Sequence, residues 1–360
     1  MTTFYPPTSG SHDFSKATLS DIDTIQFNPG GYVIFSSAQF DGVQILNNVT
    51  LKGGTSSNYL FVHLDDSHTT LDARGWQFES WNDPYDQIIR LDGSSGNDVI
   101  HGPNQGSSIF GFGGTNQMFG GSGDDTIVSN EDDFADKIDG GTGNDYVIVY
   151  RSGSTAAFTI NLLHGGGGTD IGDGTTLKHF DGLLFEGGSG SDRVVGGNGL
   201  SDTLLDNLSG GGGNDFLKGL DGNDQLNGGT GNDTLIGDAG DDSLAGGEGR
   251  DVMTGGAGAD VFVFTTLSES AAGAQRDVIR DFVSGVDAID LSAVDAINGS
   301  DDDPFTFIGD KAFSHKAGQL HFHIGANVTM VSADTDGDGK ADFQISLQGQ
   351  HALVESDFIL

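Results

Sequence analysis

Between Gly210 and Val263 the chain repeats a nine-residue word six times without a gap: GGGGNDFLK, GLDGNDQLN, GGTGNDTLI, GDAGDDSLA, GGEGRDVMT and GGAGADVFV. Asp returns at every ninth position, as Asp215, Asp224, Asp233, Asp242, Asp251 and Asp260. A large apolar residue follows two places later each time, as Leu217, Leu226, Leu235, Leu244, Met253 and Phe262. Units of this length cannot bury a core alone and are stable only when stacked, which predicts a solenoid. The GGxGxD part suits a tight turn, because Gly accepts positive φ and lets backbone approach closely. The rest of the word sets one apolar side chain between two neighbours, the alternation of a short strand. Two words, eighteen residues, then close one coil. Coils stack at a sheet spacing of about 4.8 Å. A flexible Gly-rich linker would keep no fixed apolar phase.

Stacking at eighteen residues sorts the carboxylates onto two edges, one with Asp215, Asp233 and Asp251 and the other with Asp224, Asp242 and Asp260. Each row would repel itself unless a cation lay between turns. Ca²⁺ fits, since it accepts many oxygen ligands in tolerant geometry and glycine turns expose carbonyl oxygens; Mg²⁺ demands near-octahedral geometry and keeps water.

These words resemble the nonapeptide of RTX proteins. The resemblance implies a parallel β-roll with Ca²⁺ between turns, held by the six Asp residues and by turn glycines such as Gly211, Gly213, Gly229, Gly231, Gly247 and Gly249. Leu220 and Asp238 depart from the pattern, standing where the second Gly belongs.

A second run in the same phase covers 93–128, with Ile100, Ile109, Met118 and Ile127 as the apolar series. Asp98 and Asp125 keep the acidic phase, whereas Ser107 and Asn116 break it, so these copies are expected to fold as roll but to bind calcium poorly. GGTGNDYVI (140–148) restores the motif with Asp145, and GGSGSDRVV (187–195) with Asp192. Residues 149–186 interrupt the words; FTINL and GLLFEG within them suggest wider coils of the same stack. Residues 1–90 hold short strand-like runs, TIQF, YVIF, VQIL, VTLK and LFVHL. They read as leading coils or a cap that covers the open first edge, with a small separate β domain as the alternative.

The 53 acidic residues comprise six Glu and 47 Asp, a bias that turns explain better than a solvated surface does. A formal net charge of −38 argues against nucleic acid or an anionic membrane as partner and keeps the chain expanded until cations neutralise it. There is no cysteine, hence no disulfide or thiolate site. The start, MTTFYPPTSGSHDFS, lacks the pattern of a Sec signal peptide, and no run is long enough to span a membrane. Weak calcium sites conflict with a cytosolic setting, where free calcium is low.

The last hundred residues bear on that conflict. DVIRDFVSGVDAIDLS (277–292) and the terminal DFIL resemble the C-terminal domain of serralysin-type secreted proteases, as FTFIG, AGQLHFHI, VTMVSAD and ADFQISLQG together suggest a β-meander. The resemblance implies an uncleaved C-terminal signal read by a type I secretion apparatus. Such a chain leaves the cell unfolded and folds outside, where millimolar calcium suits sites with dissociation constants of about 10⁻⁴–10⁻³ M. DTDGDGKADF, with Asp334, Asp336, Asp338 and Asp342, resembles the start of an EF-hand loop but has Ile345 where Glu is expected. It reads as a hairpin turn, with a lone calcium site as the lesser alternative.

Enzyme signatures are absent: there is no HExxH, no GxSxG and no Cys nucleophile. His321 and His323 share one side of a strand without a third ligand. The residual place for chemistry is 61–76, where Asp65, Asp66 and His68 lie close in sequence. The reading is an all-β protein: a parallel β-roll or β-helix solenoid over 91–264, a β-rich region over 1–90, and a C-terminal β-meander cap over 265–360. It is expected to be secreted, calcium-binding and non-enzymatic, with a surface, matrix or adhesion role and extracellular polysaccharide as a partner. The alternatives are a polysaccharide-active enzyme of lyase or epimerase type with chemistry in 1–90, and a noncatalytic companion of a protease.

Overall fold

The computed structural model describes residues 3–4, 11–13, 24–26, 32–36, 50–52, 58–66, 69–79, 87–131, 135–163, 168–198, 205–297 and 303–360. The chain divides into two compact units, 1–150 with 164–182 and 151–163 with 183–360. Among the described residues there is no α-helix, and nearly all regular structure is parallel strand.

The second unit contains the six unbroken words, and two words do close one coil. Asn207–Gly212, Gln225–Gly231, Ser243–Gly249 and Val261–Val263 are successive neighbours in one parallel sheet. Phe216–Asp221, Thr234–Ala239 and Val252–Ala257 are successive neighbours in another. Leu217 faces Leu235, Leu235 faces Met253, and Met253 faces Ile279. In the first sheet Leu226, Leu244, Phe262, Ile289 and Phe358 form the matching ladder. Most of these side chains are fully buried. Each such burial stabilises by about 1.5–3 kcal/mol, and none of it exists for a single coil.

The turns need left-handed backbone: Gly229 has φ 100° and Gly231 has φ 139°. Leu220 and Asp238 adopt the same conformation at φ 91° and 82°, so the coil geometry persists where the second Gly is replaced. Lys218 Nζ lies 2.5 Å from Asp238 Oδ2 and holds that turn.

After the words, Asp277–Ile279 and Ala288–Asp290 extend the two sheets in parallel. Phe343–Gln348 pairs in parallel with the former, then antiparallel with Val328–Asp334, which pairs antiparallel with Gln319–Ile324. This is the expected meander, and DTDGDGKADF is its hairpin turn. The tail closes the other sheet, with Phe358 against Ile289 and Ile359 against Asp290.

In the first unit, Tyr32–Ser36, Asn58–His63, Gln87–Asp92, Ser108–Phe110, Thr126–Ser129 and Tyr146–Tyr150 lie in parallel order. A second sheet carries Thr70–Asp72, Val99–His101, Gln117–Ser122, Lys137–Thr142 and Thr176–Lys178. A third holds Thr3–Phe4, Thr24–Gln26, Thr50–Lys52 and Gln77–Glu79. The strands Thr24–Gln26, Tyr32–Ser36, Thr50–Lys52 and Asn58–His63 fall on the strand-like runs TIQF, YVIF, VTLK and LFVHL, while Phe27, Val49 and VQIL (43–46) lie outside the described residues.

Candidate metal centre

Each Asp of the repeat leaves a glycine turn just before its strand, and the next coil brings another Asp over it. Asp215 N–H donates to Asp233 Oδ1 at 2.7 Å, and Asp233 N–H donates to Asp251 Oδ1 at 2.7 Å. On the other edge Asp224 N–H donates to Asp242 Oδ1 at 2.8 Å, and Asp242 N–H to Asp260 Oδ1 at 3.0 Å. One carboxylate oxygen therefore ties each coil to its predecessor. The two rows are the two edges expected from the eighteen-residue spacing.

The other oxygen is left over. Oδ2 of Asp125, Asp192, Asp215, Asp224, Asp233, Asp242, Asp251, Asp260 and Asp277 is buried and accepts no hydrogen bond. An orphaned buried carboxylate oxygen is costly. Burial accordingly pushes these carboxyls upward, to about 7 for Asp233 and Asp242 and about 6 for Asp251 and Asp260, with neighbouring row carboxylates or other acidic side chains adding to the rise. Asp215 is raised by burial as well. The same oxygens explain a position that the sequence reading passed over, the first Gly of each word. A Cβ at Gly210, Gly219, Gly228, Gly237, Gly246 or Gly255 would collide with Oδ2 of the Asp five residues on. A Cβ at Gly229, Gly231, Gly247 or Gly249 would instead meet a carbonyl of the preceding coil, as one at Gly211 would meet Gly188 O and one at Gly213 Gly190 O.

The rows run beyond the nonapeptides. Asp206 accepts from Leu183 N and Gly197 N and donates its own N–H to Asp224 Oδ1; burial pushes it up to about 8. Asp277 takes Asp251 N–H at 2.7 Å and is pushed to about 8, and Asp287 takes Asp260 N–H at 3.2 Å. Asp192 accepts from Phe158 N at 2.7 Å, donates to Asp215 Oδ1 and is raised to about 7 by burial. Insertions between coils put Asp277 and Asp287 off the fixed period, whereas Asp206 keeps it, eighteen residues before Asp224, in a stretch, SDTLLDNLS (201–209), that lacks the turn glycines. A second ladder was missed too: the side chains of Asn214, Asn223, Asn232 and Asp241, each just before a row Asp, accept an N–H of the next coil, as where Asn232 N–H donates to Asn214 Oδ1 at 2.7 Å.

In the first unit Asp125 and Asp145 occupy equivalent places. Asp125 Oδ1 accepts Ser107 N–H and Oγ–H, its own N–H reaches Asp145 Oδ1, and burial raises the two carboxyls to about 7 and about 6. Asn116 keeps the ladder with a neutral amide: its Oδ1 accepts Asp98 N–H at 2.9 Å, and its N–H donates to Asp136 Oδ1 at 2.6 Å. Asp98 differs from the other row members, because Ser94 N–H and Oγ–H satisfy its Oδ2.

Oxygen-only donors, orphaned buried carboxylate atoms and crowded turn carbonyls fit a hard cation of the calcium type. One carboxylate per coil per row leaves the remaining coordination to backbone carbonyls. A tighter acidic group lies in the hairpin turn, where carboxylate oxygens of Asp334, Asp336 and Asp338 come within 4.8 Å of one another. There Gly337 and Gly339 N–H occupy both oxygens of Asp334. Of the other sequence candidates, Asp66 Oδ1 accepts from Ser95 N and Oγ, and His68 lies outside the described residues.

Comparison with known proteins agrees with this geometry. Residues 92–127 and 132–149 match the RTX calcium-binding nonapeptide repeat, and residues 185–360 match the Peptidase M10 serralysin C terminal family. The resemblance read from the nonapeptides therefore holds: the chain carries RTX calcium-binding repeats. Its C-terminal half, 185–360, belongs to the serralysin C-terminal family. Metalloprotease AprA of Pseudomonas entomophila (strain L48) is 38% identical over 96 residues, 26% of this chain and 19% of that protein. Metallopeptidase AprA of Pseudomonas marginalis is 38% identical over 96 residues, 26% of this chain and 18% of that protein. The chain thus spans about a fifth of the length of the curated relatives it matches. Among solved structures, the AlgE6R3 subunit of the Azotobacter vinelandii mannuronan C5-epimerase is 26% identical, covering 43% of this chain and 78% of that one at a TM-score of 0.26. The AlgE6R2 subunit is 31% identical, covering 41% and 90% at 0.28.

Proposed function

We propose that this is a type I secreted protein without catalytic activity, whose roll folds on binding extracellular Ca²⁺ and which then works at a cell surface or in a matrix. The carrying observation is the set of buried Oδ2 atoms without a hydrogen-bond partner, repeated coil after coil along two rows. The residues we assign to calcium are Asp215, Asp224, Asp233, Asp242, Asp251 and Asp260, with the carbonyls of Gly211, Gly213, Gly229, Gly231, Gly247 and Gly249 beside them. Asp125, Asp145 and Asp192 are assigned equivalent roles, and Asp98 a weaker one because Ser94 already satisfies it. Export by the type I route is supported by the serralysin C-terminal match over 185–360. In this reading the organisation is a leading region over 1–90, the calcium roll over 91–264, and a C-terminal domain with the export signal over 265–360.

The test is circular dichroism of the purified chain in chelator, in millimolar Ca²⁺ and in equal Mg²⁺. Strand signal should emerge with Ca²⁺ alone. A compact β-rich protein in excess chelator would overturn the reading.

A further inference from the structure

Away from the Asp rows, the first unit carries a mixed aromatic and charged patch. Asn58–His63, Gln87–Asp92 and Ser108–Phe110 are three neighbouring parallel strands. Leu60, Val62, Ile89, Leu91 and Ile109 fill the core, so alternation turns the residues between them to the other face. Register sets Phe61 beside Arg90, and His63 beside Asp92, which in turn faces Phe110. Asp92 is only 2% exposed although it lies on this outer face. His63 Nδ1 at 2.6 Å and Arg90 Nε at 2.8 Å hold it. The Arg90 guanidinium lies 4.0 Å from the centre of the Phe110 ring. Phe112 stacks on Phe110, centroids 6.2 Å apart at 27°, and stays 40% exposed. It has φ 58°, a left-handed conformation that is an outlier for a bulky residue.

We infer that this face binds a neutral polysaccharide, with Phe110 and Phe112 as the stacking platform and Arg90 and His63 as the hydroxyl-reading groups. Phe112, exposed on a strained left-handed backbone beside the half-buried Phe110, is a platform for another flat apolar surface, and sugar rings offer one. Asp92 fixes both neighbours through one ring nitrogen and one guanidinium nitrogen. The guanidinium is planar and stacked on Phe110, so its orientation is set before any ligand arrives. Charge selects among occupants. With 53 acidic against 15 basic residues the chain stays strongly anionic even with calcium at its rows, and so repels nucleic acid, anionic membrane, polyuronate and a second copy of itself. A neutral glycan escapes that repulsion and still offers hydroxyls to Arg90 and His63. With strands about 4.8 Å apart and same-face residues about 7 Å apart, the patch has roughly the footprint of a short oligosaccharide. A glycan within reach presupposes the extracellular placement proposed above; binding measured in solution does not.

The full-length protein, folded in Ca²⁺, is run in affinity electrophoresis against laminarin, hydroxyethylcellulose and dextran, with polygalacturonate as the anionic control. At least one neutral polymer should retard it and polygalacturonate should not. The double variant Phe110→Ala, Phe112→Ala should bind about tenfold more weakly or worse, as truncation of aromatic anchors does. Its circular dichroism in Ca²⁺ and its melting temperature should match the parent. Arg90→Lys keeps the charge, loses the stacked fork and should bind more weakly than the parent. Folded protein that no neutral polymer retards overturns the inference and leaves the calcium reading standing. Equal binding by the double variant, preference for polygalacturonate, or dimerisation abolished by the double variant would each overturn it as well.

Discussion

A row aspartate divides its two oxygens between two tasks, and solution conditions can separate them. Oδ1 is occupied by an N–H of the neighbouring coil, while Oδ2 has only a cation to turn to. In the metal-free fold Asp233 is pushed by burial from the ordinary 3.8 to about 7. The folded metal-free roll therefore binds more protons than the unfolded chain between those values. Whatever stability this carboxyl contributes without metal is therefore fully present below about 4 and is lost as pH rises through about 7. Calcium reverses the preference, because it needs the carboxylate ionised. Binding at pH 6 should then release protons and weaken on further acidification. Titration calorimetry in buffers of different ionisation enthalpy measures this, and heats independent of buffer would sink the argument. Position within the row matters too. Asp233 is bonded to a row member on either side, so Asp233→Ala damages two inter-coil sites. It should raise the calcium midpoint by about tenfold or more, the scale reached when even groups that support a metal site are removed. Asn116→Ala removes a neutral amide and should move the midpoint less. Equal shifts in the two calcium titrations would contradict the ranking.

At the scale of the coil, the repeat dictates a surface as crowded as its core. The Cβ missing from Gly231 would run into Gly213 O of the preceding coil, and its φ of 139° is left-handed. Gly273 also has a left-handed φ, 110°, but opens onto free space. Gly273→Ala should cost only backbone strain, about 1–3 kcal/mol, and Gly231→Ala clearly more, since two coils must part. Thermal melts in Ca²⁺ compare them, and equal losses would mean that inter-coil crowding is unimportant. The coil itself was legible in the sequence because stacking forces Asp and Leu to recur at fixed distance. Leu217, Leu235 and Met253 fall on one ladder for that reason. Row members after Asp260 were not legible. Asp251 meets Asp277 across 26 residues and Asp260 meets Asp287 across 27, because loops lengthen those coils without moving the strands. A fixed period cannot see a register that only hydrogen bonding restores. The first Gly of each word was likewise opaque: its need arises from Oδ2, whose direction no spacing reveals.

Over the whole molecule, folding and the export route proposed above make opposite demands on the last residues. Asp357 is fully buried; its carboxylate accepts from Ser284 Oγ and Gly285 N, each at 2.8 Å, and Phe358 pairs with Ile289. A transporter that reads this tail must meet it before those contacts form. With 53 acidic against 15 basic residues, the chain resists compaction wherever calcium is scarce. On the proposed export route, low calcium inside the cell would keep the tail free, and calcium outside would fold it away. Two truncations expressed beside a matched type I transporter test this, with protein assayed in medium and lysate. The form lacking residues 311–360 should stay in the cells, and the form lacking residues 2–12 should reach the medium at the parent level. A third form, Asp357→Ala, should unsettle the docked tail and lower the melting temperature of the folded protein in Ca²⁺, since it leaves Ser284 and Gly285 without their acceptor. Full secretion of the form lacking residues 311–360 would refute the type I assignment, and with it the reason that calcium sites of modest affinity suffice.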